Sequence, residues 1–134
     1  MSAPSSSAVE RILADAGVQF AYLFGSRATA TARPTSDADV AIMPSGELTL
    51  LGRERLAAAI ADKMHVPDVD LVLLDRAPLE LRGRVVQEGR LLYSADEPAR
   101  VAFEVRTRAE YFDFLPTLRA LQRSYIAHIA SHGL

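Results

Sequence analysis

Gly25-Ser26, ten further residues, then Asp37-Ala38-Asp39 is the arrangement in this chain best suited to chemistry. In a strand, side chains two apart share a face, so Asp37 and Asp39 point together while Ala38, Val40 and Ile42 face a core. Two adjacent carboxylates repel and raise each other's proton affinity. Water or a cation relieves that repulsion. A hard divalent ion such as magnesium takes oxygen ligands at about 2.0–2.1 Å and commonly shares one or two carboxylates with substrate phosphates. A third acid stands in Pro67-Asp68-Val69-Asp70-Leu71-Val72. Asp70 opens an apolar run on which a carboxylate without a partner is costly. Asp68 has the same parity but lies closer to the loop. Gly25-Ser26 closes one strand before a short helix. Glycine lets a phosphate approach the backbone, and a helix N-terminus favours negative charge. There is no Gly-Lys-Ser/Thr of a Walker loop and no dinucleotide fingerprint. A phosphate cradle, a carboxylate pair and a third carboxylate on a second strand make a two-metal arrangement for phosphoryl-type transfer.

These groups need elements to position them. Ser7-Ala8-Val9-Glu10 reads as a capping box opening a helix with Val9, Ile12, Leu13 and Ala16 on one face, ended by Gly17. Residues 20–24 read as a buried strand, 27–32 as a short helix and 33–36 as a turn. Residues 37–43 form a second strand and 48–64 a helix. The run 69–74 is apolar enough for a central strand. A helix over 78–88 begins on Pro78, and 90–93 is an edge strand. From Asp96 the chain is helical with an interruption at Pro116. Val101, Val105, Ala109 and Phe112, then Leu118, Leu121, Tyr125 and Ile129, form apolar stripes that pack on the sheet or dock a partner helix. Strands alternating with helices place the chain in the α/β class.

With 134 residues the chain makes about one domain, and 49% hydrophobic with 24% charged residues argues against disorder. A net charge of −2 argues against a protein held by nucleic-acid phosphates or anionic membrane. Without cysteine there is no disulfide and no thiol chemistry. The first seven residues lack a secretory pattern, and no run approaches roughly 18 apolar residues, so a soluble cytoplasmic protein is expected. His128 and His132 stand four apart without a third ligand, which favours an ordinary helix face.

Gly25-Ser26-Arg27 … Ser36-Asp37-Ala38-Asp39-Val40 resembles the signature of the minimal nucleotidyltransferase (MNT) domains of the polymerase-beta-like nucleotidyltransferase superfamily. Val69-Asp70-Leu71-Val72 resembles the strand carrying that family's third carboxylate, and Val85-Val86-Gln87-Glu88-Gly89-Arg90 its following helix and strand. The C-terminal helices resemble those of MntA-type antitoxins of HEPN/MNT toxin–antitoxin systems. Where many relatives have Arg-Gly after the glycine–serine pair, this chain has Ala28-Thr29-Ala30-Thr31. The resemblance implies a small mixed β-sheet flanked by helices (the nucleotidyltransferase fold) over residues 1–95, and a C-terminal helical extension over 96–134 packed on the core or a partner. It implies transfer of AMP from ATP, with two magnesium ions, to a tyrosine hydroxyl of a HEPN ribonuclease toxin in a hetero-oligomer. Carried over by position, Asp37, Asp39 and Asp70 are the catalytic and metal-binding residues, and Gly25, Ser26, Arg27 and Ser36 hold the nucleotide. Two alternatives stand beside this: a small-molecule hydroxyl as acceptor, and an antitoxin that acts by docking alone.

Overall fold

A computed structural model describes residues 3–25 and 37–132, with side chains over 7–25 and 37–131. Its elements are α1 (Ala3–Asp15), β1 (Val18–Phe24), β2 (Ala38–Pro44), α2 (Leu50–Met64), β3 (Val69–Leu73), α3 (Leu79–Glu88), β4 (Arg90–Ser94) and α4 (Glu97–His132). The four strands form one sheet in the order β3-β2-β1-β4. β1 pairs antiparallel with β2 and with β4, and β2 pairs parallel with β3, so the sheet is mixed as expected.

Both faces of the sheet are covered. Val9 and Leu13 of α1 and Leu56 and Ile60 of α2 close over Leu23, Val40, Ile42 and Leu71. On the other face, Val85 and Val86 of α3 and Phe103 of α4 cover Phe20, Tyr22 and Phe24. β1 supplies both cores because its period-2 alternation sends Phe20, Tyr22 and Phe24 one way and Ala21 and Leu23 the other. Phe20 meets Tyr22 edge-on at 5.9 Å and Phe103 at 5.4 Å. Aromatic pairs of this kind contribute about 0.5–1.5 kcal/mol beyond the area they bury. The Tyr22 hydroxyl donates to Glu104 at 2.6 Å, and Arg100 donates to the same carboxylate at 2.8 Å, tying α4 to the sheet. Burial and that hydrogen bond push the Tyr22 phenol far above the usual tyrosine range.

Three expectations are corrected. The first helix begins at Ala3, so Ser7 lies inside it and forms no capping box. Pro4 falls in its first turn, where a missing N–H costs nothing. β3 is an edge strand, not a central one. Its apolar run reflects cover from the α1–α2 layer, which buries Val69, Leu71 and Leu73. α4 runs through Pro116 without a break. Proline frees the carbonyl of Phe112 there, and both residues are exposed, so water can satisfy it. The apolar stripes of α4 also sort differently: Phe103 and Thr107 are buried, whereas Val101, Val105, Phe112, Leu121 and Tyr125 are exposed.

Candidate active site

The register of the two parallel strands assembles the acids. Asp39 of β2 lies directly opposite Asp70 of β3, and Phe24 of β1 lies opposite Asp39. Ala38 and Val40 face the α1–α2 core as the alternation requires, which turns Asp39 and Asp70 toward the α3–α4 face. Asp37 immediately precedes β2 and is exposed, as is Asp70; Asp39 is half-buried.

Gly25 closes β1 at φ +75°, in the left-handed region that glycine occupies without penalty. A Cβ there would run into the Asp39 carboxylate, with Asp39 Cγ at 3.4 Å and Cβ at 3.6 Å. Glycine therefore lets the strand end against this side chain. The Asp39 carboxyl is held above the ordinary carboxylate range. Burial is the largest cause, repulsion from Asp70 and then Asp37 adds to it, and the positive charge of Arg84 on α3 opposes it. Asp70 and Asp37 thus both act electrostatically on Asp39. Among the described residues, no three acidic or histidine side chains close into a metal cage. The donor set is nevertheless all carboxylate oxygen, which suits magnesium. Magnesium usually takes only one or two carboxylates and completes its shell with phosphate and water. A cation there would also relieve the repulsion that raises Asp39.

Ser26, Arg27 and Ser36, and the helix and turn expected over 27–36, lie outside the described residues. Asp68 does not join the cluster: its carboxylate accepts the Val69 N–H at 2.9 Å. Sequence reasoning passed over two arginines. Arg84 is one exposed residue on a helix and carries no local signal for its effect on Asp39. Arg53 of α2 donates to the Leu71 carbonyl at 2.6 Å, a contact visible only once α2 is packed against β3.

The chain belongs to the polymerase beta nucleotidyltransferase family, whose model matches residues 8–98. Within that family it is similar to the protein adenylyltransferase MntA of Shewanella oneidensis. The two are 31% identical over 114 residues, 85% of this chain and 81% of the relative. The fold is similar to a chain of a toxin–antitoxin crystal structure with AMP-PNP. That match has a TM-score of 0.75 and 28% identity, over 90% of this chain and 98% of the other. It is also similar to a chain of the tri-AMPylated HEPN toxin of Shewanella oneidensis in complex with MNT antitoxin. There the TM-score is 0.74 and the identity 26%, over 94% of this chain and 99% of the other. Among the described residues, no helix is long and apolar enough to cross a membrane.

Proposed function

We propose that this chain is a cytoplasmic antitoxin that transfers AMP from ATP to a tyrosine hydroxyl of a HEPN ribonuclease toxin and thereby neutralises it. The observation that carries this reading is the in-register pair Asp39–Asp70 beside Gly25, in a chain similar to an adenylyltransferase along most of its length. Residues 1–95 form the catalytic core, and the extension over 96–134 packs on it through its first half. Gly25, Ser26, Arg27 and Ser36 hold the triphosphate. Asp37, Asp39 and Asp70 would hold Mg2+, which when bound supplies charge to neutralise phosphate oxygens. The phenol oxygen attacks the α-phosphorus in line. A new O–P bond forms as the bond to the bridging oxygen of the β-phosphate breaks. Pyrophosphate leaves with that electron pair, and the phenolic proton passes to the Asp70 carboxylate.

The test mixes the protein with ATP, Mg2+ and the HEPN protein encoded beside it, and reads intact mass. The toxin gains one or more adenylyl groups, and Asp39→Asn abolishes the gain; transfer that survives the substitution refutes the site. Neutralisation by docking alone is the second reading, favoured by the exposed Leu121, Tyr125 and Ile126 on the far half of α4. Under that reading the double substitution Asp37→Asn with Asp39→Asn leaves toxin neutralisation in cells intact.

A further inference from the structure

β3 is the open edge of the sheet on the Asp70 side, and its backbone groups are unevenly used. Ala38 N–H donates to the Asp68 carbonyl and Leu74 N–H to the Ile42 carbonyl. Backbone groups alternate sides along a strand, so 70 and 72 also face β2, and 69, 71 and 73 face outward. Among the outward groups, Val69 N–H is taken by the Asp68 carboxylate and the Leu71 carbonyl by Arg53. The Leu73 carbonyl accepts from Arg76 N–H. That leaves, among the described residues, the Val69 carbonyl, the Leu71 N–H and the Leu73 N–H, of which the first two form a pair, one on each side of Asp70. An antiparallel neighbour needs the N–H and C=O of a single residue, and at both 69 and 71 one of these is occupied. A parallel neighbour needs the C=O of one residue and the N–H of the second after it, so that its own residue sits opposite the one between them. The free pair matches that requirement, centred on Asp70.

We infer that this edge is the acceptor strip of the adenylyltransferase proposed above: an extended segment of the partner protein adds parallel to β3, with its hydroxyl-bearing residue opposite Asp70. The inference rests on that proposed function and adds to it where the acceptor lies and in which conformation. Residues opposite one another in a ladder share a face, so the acceptor side chain stands on the Asp70 side, about 4.8 Å along the sheet. Its neighbours in the segment point to the other face. There a hollow of about 380 Å³ runs between α2 and β3, bordered by Leu50, Arg53, Glu54, Ala57, Ala58 and the flank of β3. That volume is at the small end of ligand pockets and suits one or two side chains. The order across the sheet agrees with in-line displacement. Gly25 ends β1, Asp39 follows on β2 and Asp70 on β3, so the pyrophosphate of a triphosphate cradled at Gly25 leaves on the side opposite an acceptor beyond Asp70. The hydroxyl oxygen gains the α-phosphorus, pyrophosphate departs, and the proton goes to Asp70.

Three acceptor peptides test this with the full chain, ATP and Mg2+: acetyl-Thr-Val-Tyr-Val-Thr-amide, the same peptide N-methylated on tyrosine, and the same peptide N-methylated on the following valine. Tyrosine opposite Asp70 uses its own N–H on the Val69 carbonyl, whereas the N–H of the next residue points away from β3. Methylating tyrosine therefore raises the acceptor KM about tenfold or more, while methylating the valine leaves it within about twofold. Ala58→Trp fills the hollow, and it lowers transfer to the HEPN toxin at least tenfold while ATP-analogue affinity and melting temperature stay near wild type. Three results each overturn the inference: equal behaviour of the two methylated peptides, no transfer to the parent peptide by a protein that modifies the toxin, or an Ala58→Trp variant as active as wild type. A wild-type protein that modifies neither peptide nor toxin overturns the proposed function itself.

Discussion

Replacing Gly25 by alanine separates backbone strain from damage to the site, because the chain carries its own control. Gly25 and Gly17 have nearly identical left-handed conformations, φ +75° and +74°. An alanine in that region costs about 1–2 kcal/mol at either place. Their surroundings differ. At Gly17 the new Cβ meets only the Ser45 hydroxyl oxygen at 3.2 Å, which donates to the Gly17 carbonyl and has to give by only a few tenths of an ångström. At Gly25 it strikes the Asp39 carboxylate. Asp39 Cγ and Cβ already stand at 3.4 and 3.6 Å, so the carboxylate must swing out of place. A displacement near 1 Å in a catalytic group costs on the order of a hundredfold in rate, or about 2.7 kcal/mol of transition-state stabilisation. Urea unfolding is therefore expected to show similar losses for the two variants. Adenylyl transfer followed by intact mass is expected to fall about a hundredfold for Gly25→Ala and less than threefold for Gly17→Ala. Equal transfer rates in the two variants would show that Gly25 does not place Asp39.

The remaining predictions concern stability. Asp39→Asn raises the melting temperature of the nucleotide-free protein at pH 7. Burial and neighbouring acids hold this carboxyl above its ordinary value, so its charged form destabilises the fold once pH exceeds the ordinary carboxylate range. The gain shrinks toward zero below that range, which scanning fluorimetry at pH 3.5 and 7 reads directly. Gly83→Ala on α3 drives a Cβ into the Tyr111 ring of α4, whose Cγ would lie 2.5 Å away. Overpacking at about 1–3 kcal/mol outweighs a helix-propensity gain of about 1 kcal/mol. Adding Tyr111→Ala cancels the overpacking part, and a urea double-mutant cycle reports the coupling. The Arg100 hydrogen bond draws exposed Glu97 down from 4.5 to about 2. Its contribution is full above pH 4.5 and fades as pH falls toward 2, so Arg100→Ala flattens the acid limb of stability measured by circular dichroism.

The carboxylate site was legible because strand parity is a local rule. Asp37 and Asp39 two apart, followed by Val40 and Ile42, predict acids one way and core the other; the structure keeps that alternation from Ala38 onward and leaves Asp37 just outside the strand. The pairing of Asp39 with Asp70 is not local. It depends on the parallel register of β2 and β3, which no local rule fixes; the residue types alone suggest that a third carboxylate joins the pair, and the register shows which residues face each other. β3 misled for a related reason. An apolar run reports burial of faces, and Val69, Leu71 and Leu73 are buried by the helices above them while the strand's outer backbone stays open. Pro116 misled because the rule against interior proline assumes a carbonyl with no alternative partner. On the exposed far half of α4, water is available.

The same features explain why the sheet tolerates its acids. Burial, and after it the nearness of Asp70 and Asp37, raises the proton affinity of Asp39 and so works against folding. The repulsion is confined to the ends of β2 and β3, where Asp37 and Asp70 remain exposed to a high dielectric. The cores lie beyond those ends, with Leu23, Val40 and Ile42 on one face and Phe20, Tyr22 and Phe103 on the other. Arg84 approaches from α3 without neutralising the group, since the net effect on Asp39 is still upward. A fully paired Asp39 would stabilise the empty fold and leave less negative charge to attract a cation and the phosphates it carries. The residual repulsion is therefore what a substrate-borne ion can relieve, and it makes ligand binding and fold stability rise together.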